Sequence, residues 1–173
     1  MDFTIRKAYP SEYDQIITII QNTLDTISNK EWFVADNEEY IRCIFEHKKG
    51  TPYVAIHNES LEIAGIFLTM LPEDSSENLG LDVNLPAKEL HKVVHMESVS
   101  VLPAYRGHKL QRRLMEFAEN DLKSTGHYYL FCTIHPDNKY SMNNALSLDY
   151  QVMKVCEKYG GYLRAILMKE IGK

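Results

Sequence analysis

The sequence predicts an α/β chain folded as a single domain over residues 1–173. Two patterns carry that reading. Short apolar or alternating runs of strand length are interleaved with stretches whose apolar residues recur at helical spacing. Turn residues such as Asn58-Glu59-Ser60 and Gly160-Gly161 separate them. The composition agrees: 45% hydrophobic and 25% charged residues in a chain of 173 are ordinary for one globular core. No internal repeat, low-complexity tract or linker divides it.

Residues 3–7 (Phe-Thr-Ile-Arg-Lys) alternate and predict a first strand. Pro10 and Ser11 start a helix over 11–26, with Ile16, Ile17, Ile19, Ile20 and Leu24 apolar. A loop over 31–34 carries Trp32 and Phe33. Asp36 or Asn37 caps a second helix running through Tyr40, Ile41, Ile44 and Phe45 to about Lys48, and Gly50 stops it. Strands follow over 52–57 and 63–71, joined at Asn58-Glu59-Ser60. Residues 72–90 form a long connection with a helical turn at 86–90, a length that often marks a functional loop. Then come a central strand over 93–102, a helix over 107–124, a strand over 128–134 and a short helix over 141–148. Strands over 150–158 and 162–169 close the chain as a hairpin turning at Gly160-Gly161.

The densest signal lies between Val99 and Leu114. An apolar strand ends at Pro103, a short turn holds Arg106 and Gly107, and a helix opens with Leu110, Leu114, Phe117, Ala118 and Leu122 on one face. Strand, tight turn and helix N-terminus form an anion site, because unpaired N–H groups and the helix dipole both favour negative charge there. Arg106, His108, Lys109, Arg112 and Arg113 crowd this turn in a chain of net charge −5. Cations at a helix N-terminus oppose the dipole, so an anion is expected to compensate them.

Val99-x-Val101-x-Pro103-x-Tyr105-Arg106-Gly107 followed by an amphipathic helix resembles the acyl-CoA-binding motif of the GNAT superfamily, the GCN5-related N-acetyltransferases. In the family pattern Arg/Gln-x-x-Gly-x-Gly/Ala, Arg106 fits the first position, while Lys109 and Gln111 stand where the two glycines belong. A non-glycine at 109 must tolerate whatever φ the loop needs, and a left-handed one costs energy. Residues 138–150 are similar to the family's Asn-x-x-Ala/Ser…Leu…Gly-Phe segment. Asn138, Ser141 and Leu148 fit; Asp149 replaces the glycine, Tyr150 the phenylalanine, and Ala145 a common tyrosine. The likeness covers residues 93–169 by motif and the N-terminal half by element order. It implies a GNAT fold, a mixed twisted sheet of about seven strands flanked by about four helices, with a C-terminal β-hairpin.

The resemblance implies acetyl-CoA as acyl donor, its pyrophosphate at the loop formed by Arg106, Gly107, His108, Lys109, Leu110, Gln111 and Arg112. The strands over 93–102 and 128–134 would splay apart and admit the pantetheine arm. Backbone groups of Val99 and Val101 would pair with it as with an added strand, and the amide of Val99 or Ser100 would face the thioester oxygen. Asn138 either caps the short helix with Ser141 or touches the pantetheine, and both can hold. Arg112 and Arg113 either reach the 3′-phosphate or form a solvated helix face, and Arg106 alternatively serves as a structural ion-pair residue.

By period-2 alternation His95, Glu97, Val99 and Val101 share one strand face. Glu97 is the first candidate general base for an attacking amine and His95 the second. The alternative is that Glu97 binds a substrate ammonium or bridges to a core partner. His135, at the end of the next strand, either faces the same cleft or is hydrogen-bonded at the strand end. For a general acid, Tyr140, Ser141 and Tyr150 lie near the position Ala145 occupies, and a thiol leaving group needs little help.

No metal is expected, since His91, His95 and Glu97 straddle an element boundary and lack a fourth ligand. Neither a phosphate-binding P-loop nor a Gly-x-Ser-x-Gly elbow occurs. The negative charge argues against nucleic acid and favours cationic substrates. No apolar run would span a membrane, no signal-peptide core is visible, and three scattered cysteines suit a reducing compartment, so a cytoplasmic location is expected. Acceptor choice would rest on the first helices and the long connection, where Trp32, Phe33, Glu38, Glu39, Glu73, Asp74 and Glu77 lie. Their carboxylates either draw in a protonated amine or simply solvate the loops. The expected activity is direct transfer of acetyl from acetyl-CoA to a primary amine of a small molecule or peptide in a ternary complex. The alternatives are a catalytically silent acyl-CoA-binding module on the same fold and another α/β domain that binds a phosphorylated ligand. A homodimer through the C-terminal hairpin, with its last strand at the sheet edge, is also expected.

Overall fold

The computed structural model describes residues 1–34, 37–46 and 49–172. Its strands are β1 (Phe3–Lys7), β2 (Gly50–His57), β3 (Ile63–Met70), β4 (Val93–Val101), β5 (Tyr129–Ile134), β6 (Gln151–Lys158) and β7 (Tyr162–Glu170). Its helices are α1 (Tyr13–Thr26), α2 (Glu38–Glu46), α3 (Leu110–Leu122) and α4 (Lys139–Leu146). The seven strands form one sheet in the order β1-β2-β3-β4-β5-β7-β6. Only β4 and β5 run parallel; the other neighbours are antiparallel.

Side-chain alternation sorts the strands onto two faces. One face packs on α3 and its surroundings through Tyr53, Phe67, Met96, Leu114, Leu130 and Leu167. The other receives α1 and α2 through Ile16, Ile20, Ile41, Ile44, Ile66 and Leu68. Beyond the reach of those helices, the long connection covers the sheet: Leu79 packs with Val93, Phe131 and Ile166. That segment is built from two 3-10 turns, Leu81–Val83 and Ala87–Lys92.

Several boundaries and one edge assignment depart from the sequence reading. A 3-10 turn at Pro10–Glu12 precedes α1, so the helix begins at Tyr13 rather than Ser11. There Glu12 accepts from the Tyr9 N–H at 2.7 Å and from both Arg6 terminal nitrogens at 2.7 and 2.9 Å. Asn37 caps α2, its Oδ1 accepting from the Tyr40 N–H at 2.8 Å; Asp36 and Lys48 lie outside the described residues. Gly50 opens β2 instead of merely ending a helix, because a Cβ there would run into the Thr69 carbonyl. The last strand is not the sheet edge: β7 lies between β5 and β6, and β6 is the edge.

Candidate active site

β4 carries the candidate catalytic residues, and a bulge decides where each one points. Thr69 pairs with Met96 and Phe67 with Val99, so Leu68 faces both Glu97 and Ser98. One extra residue reverses the alternation downstream. His95 and Glu97 therefore share the face covered by α2 and the long connection. Val99 and Val101 pack on the opposite face with Met96 and the α3 core. The expectation that all four share a face is thus corrected.

On its side toward β5, β4 also has an unpaired edge. β4 and β5 are in register only from Val93–Tyr129 to His95–Phe131, and beyond that they diverge. On the other side of β4, the Leu102 N–H donates to the Ala64 carbonyl at 2.9 Å. An antiparallel ladder turns every second residue toward its partner, so Ser100 addresses β3 while the amides of Val99 and Val101 face the gap. Ser100 is consequently not a cofactor-facing amide. Its side chain is buried too, with a hydroxyl that has no partner among the described residues. The Val101 carbonyl accepts from Arg106 Nε at 3.4 Å, which gives Arg106 a structural role at the strand end.

At the foot of the gap the loop turns through Gly107 at φ +85° and Lys109 at φ +58°, ψ +24°. Lys109 sits at the N-cap of α3 in the left-handed region, where its lysine replaces the family glycine. The first intrahelical bond is Arg113 N–H to the Lys109 carbonyl, so the amides before it have no helical acceptor. Arg106, Gly107, Lys109, Leu110 and Gln111 line the cleft. The His108 and Arg112 side chains do not. His108 packs against Phe3 with ring centroids 5.5 Å apart, and Arg112 pairs with Glu116 at 3.1 Å. Arg113 also turns away, donating to the Phe3 carbonyl at 3.1 Å. Gln111 spans to α4, donating to Ser141 Oγ at 3.3 Å and accepting from Asn144 Nδ2 at 3.0 Å. Asn138 caps α4 by accepting from the Ser141 N–H at 3.2 Å. Ala145 is fully buried, and Asp149 adopts φ +68° where the family has its glycine.

Glu97 is held by one of its oxygens. Oε1 accepts from the Tyr40 hydroxyl at 3.0 Å and lies 3.2 Å from His95 Nδ1. His95 Nε2 accepts from the Leu79 N–H at 3.1 Å, a bond that is itself buried. An accepting Nε2 carries no proton, so the ring proton sits on Nδ1 and is donated to Glu97. Both His95 nitrogens are thereby committed, and its place as an alternative base gives way to that of a residue fixing Glu97. Among the described residues, no hydrogen bond ends on Glu97 Oε2. His135 takes the hydrogen-bonded reading: its Nδ1 accepts from the Asp137 N–H at 3.2 Å. Cys132 is no nucleophile, since burial, with Glu119 and Glu97 nearby, pushes its thiol up to about 12.

The cleft between these parts holds about 1040 Å³. Tyr140 stands exposed on its rim. Tyr150 is buried in the α3-side core, where burial raises its pKa well above the usual value, so it cannot serve the cleft. Of the acceptor-side residues, Trp32, Phe33 and Glu77 line the cleft, whereas Glu38 pairs with Arg42 and Glu73 lies 3.9 Å from Lys49. Tyr40, Leu79, Tyr159 and Arg164 also line the cleft, and no local pattern marks them, because each reaches the site only through tertiary packing.

An open mixed sheet whose central parallel pair splays above a glycine-turned helix N-terminus defines an acyltransferase architecture, and comparisons with known proteins agree. The model of the acetyltransferase (GNAT) family matches residues 20–149, and the chain belongs to that family. Solved structures share its fold, among them the following three. An N-acetyltransferase from Staphylococcus aureus superposes with TM-score 0.72 at 15% identity, over 98% of this chain and 99% of that one. A phosphinothricin acetyltransferase from Sinorhizobium meliloti, solved with acetyl-CoA, gives 0.74 at 15% identity, over 99% and 90%. The ribosomal-protein-S18-alanine N-acetyltransferase from Escherichia coli gives 0.71 at 14%, over 99% and 96%. No curated protein matches the chain. Among the described residues no helix is long and apolar enough to cross a membrane.

Proposed function

We propose that the protein transfers the acetyl group of acetyl-CoA to a primary amine of a small molecule or peptide, by direct attack in a ternary complex. The observation that carries this reading is the pairing, across one bulge, of an anchored carboxylate with an unpaired strand edge. Acetyl-CoA would supply an activated thioester. The Val99 amide and the Val101 N–H, both turned into the gap, suit a pantetheine arm laid along β4. The loop of Arg106, Gly107, Lys109 and Leu110 would receive the pyrophosphate on free amides and positive charge.

Glu97 then acts through Oε2. It takes a proton from the substrate ammonium, directly or through a water, and the freed amine attacks the thioester carbon. The Val99 N–H stabilises the developing oxyanion, the carbon–sulfur bond breaks, and the thiolate departs without requiring a tyrosine at position 145. Tyr40 and His95 hold the carboxylate but exchange no proton with substrate. The catalytically silent alternative draws on Ala145 and on the Gln111 bridge at the pyrophosphate end. The commitment of three separate elements to orienting Glu97 favours an enzyme. The unpaired cysteines Cys43, Cys132 and Cys156 fit a cytoplasmic setting, and the edge strand β6 is where a homodimer would join.

Calorimetric titration with acetyl-CoA and with coenzyme A tests the donor site, and thiol release across a panel of amines tests transfer. Glu97→Gln should lower turnover by roughly 10²–10⁴-fold while sparing acetyl-CoA binding, as expected for loss of a general base. Absence of any affinity for either nucleotide would overturn the reading.

A further inference from the structure

The wall of the cleft across from Glu97 holds a buried cation that the transfer step does not use. Arg164 lies on β7, opposite Cys156 of β6 and one residue beyond the Ala165–Ile134 pair with β5. Alternation places it on the face of Ile166, which packs with Phe131, Val93 and Leu79. That is the face of His95 and Glu97. The side chain is 3% exposed and lines the cleft.

Its hydrogen bonding is incomplete. One terminal nitrogen, Nη1, donates to the Leu163 carbonyl at 2.7 Å, and the guanidinium lies 5.5 Å from the Tyr162 ring centroid. The other, Nη2, is buried without a partner among the described residues. Burial disfavours the charged form and draws the Arg164 pKa down, while Tyr159, Tyr162 and Glu31 oppose that. Among the described residues no carboxylate comes within 4 Å; Glu31 lies instead 3.7 Å from His135 Nε2 and is largely exposed. A buried guanidinium left unpaired is costly, so one kept at a cleft wall fits a partner that arrives with the ligand.

We propose that Arg164 anchors a carboxylate of the acceptor, making the acceptor an amino acid rather than a plain amine. This rests on the acetyltransferase reading for the fate of the amine. One β-strand, β5, separates β4 from β7, so Glu97 and Arg164 stand more than two strand spacings apart, over about 10 Å, across the end where β4 and β5 diverge. Both side chains line the cleft from that face, and an amino acid set between them would give its ammonium to the carboxylate and its carboxylate to the guanidinium. The Thr133 and Tyr159 hydroxyls, hydrogen-bonded to each other at 3.1 Å, also line the cleft. A single guanidinium with Glu31 and Glu77 nearby matches a monoanion better than a phosphate dianion.

The test is equilibrium binding to the protein saturated with coenzyme A, so that no turnover is needed. Proteinogenic amino acids, each matched with its α-carboxamide, are titrated calorimetrically into the wild type, Arg164→Gln and Arg164→Lys. At least one amino acid should bind, and its amide should bind at least about tenfold more weakly, the loss expected for a charge-assisted bond. Arg164→Gln should bring the amino acid down to its amide and leave coenzyme A affinity unchanged, with Arg164→Lys intermediate. Equal binding of acids and amides, no acid binding, or a preference that survives Arg164→Gln overturns the assignment. Should the variants misfold, the acid–amide comparison in the wild type decides alone. Failure to bind acetyl-CoA would strike the underlying reading; acetylation of amines without regard to a carboxylate would strike only the role of Arg164.

Discussion

Lys109→Gly should stabilise the protein, which is unusual for a change from lysine to glycine. Lys109 is exposed and holds φ +58°, ψ +24° at the N-cap of α3. A left-handed conformation costs an L-residue with a Cβ roughly 1–2 kcal/mol. Glycine relieves that cost but adds about 0.4–1 kcal/mol of unfolded-chain entropy. The difference is a net gain of about 0.5–1 kcal/mol, or about 1–4 °C in Tm for a chain of this size. Lys109→Ala is the control, since it removes the charge and keeps the Cβ. Urea unfolding with unchanged slope reads both. A midpoint that rises for glycine and not for alanine supports the argument. A midpoint that falls for glycine, or rises equally for alanine, would mean that the loop is not strained at 109 and that the departure from the family glycine has no conformational cost.

Three other outcomes follow from the same geometry. Tyr40→Phe removes one of the two donors on Glu97 Oε1 and should lower kcat about tenfold, with acetyl-CoA affinity unchanged, by steady-state thiol release; an unaltered kcat removes Tyr40 from the site. Leu114→Ala, at a fully buried position under β4, should cost about 2–5 kcal/mol in denaturant unfolding. The Arg6 guanidinium holds the half-buried Glu12 carboxyl below its ordinary 4.5, so its stabilisation is present above that pH and is lost as pH falls through the lower folded value. Glu12→Gln should therefore destabilise by about 1 kcal/mol at neutral pH, and the gap should close in acid-titrated melts.

The order of elements was legible because each strand and helix carries its own periodicity, and the boundaries held to within a few residues. Glu97 and the 106–111 loop were legible because both lie within one linear stretch. What escaped was everything that depends on register. The bulge at Glu97 and Ser98 leaves no mark on the hydrophobic pattern, since residues 93–101 read equally well as an unbroken strand. An unbroken strand puts Val99 and Val101 on the face of His95, and the bulge puts them on the other. Likewise its last place in the chain suggests an edge for β7, whereas pairing with β5 puts it inside the sheet. His95 looked like a free base because nothing local shows that a backbone amide sixteen residues earlier consumes its lone pair.

The bulge also explains why one strand can serve two substrates. In a regular strand, the residue whose side chain faces the acceptor and the residues whose amides face the gap are fixed in phase with each other. Inserting one residue breaks that phase after Glu97. The carboxylate stays on the face of α2, held by Tyr40 and by His95, which the Leu79 N–H of the long connection fixes in turn. Val99 and Val101, meanwhile, bury their side chains against the α3 core and turn their amides outward. Apolar burial thus holds the amide-bearing segment rigid without occupying the gap. The two halves of the site are thus set by separate cores on opposite faces of the sheet: Tyr40, Glu97 and Arg164 belong to one, and the Val99–Val101 edge rests on the other.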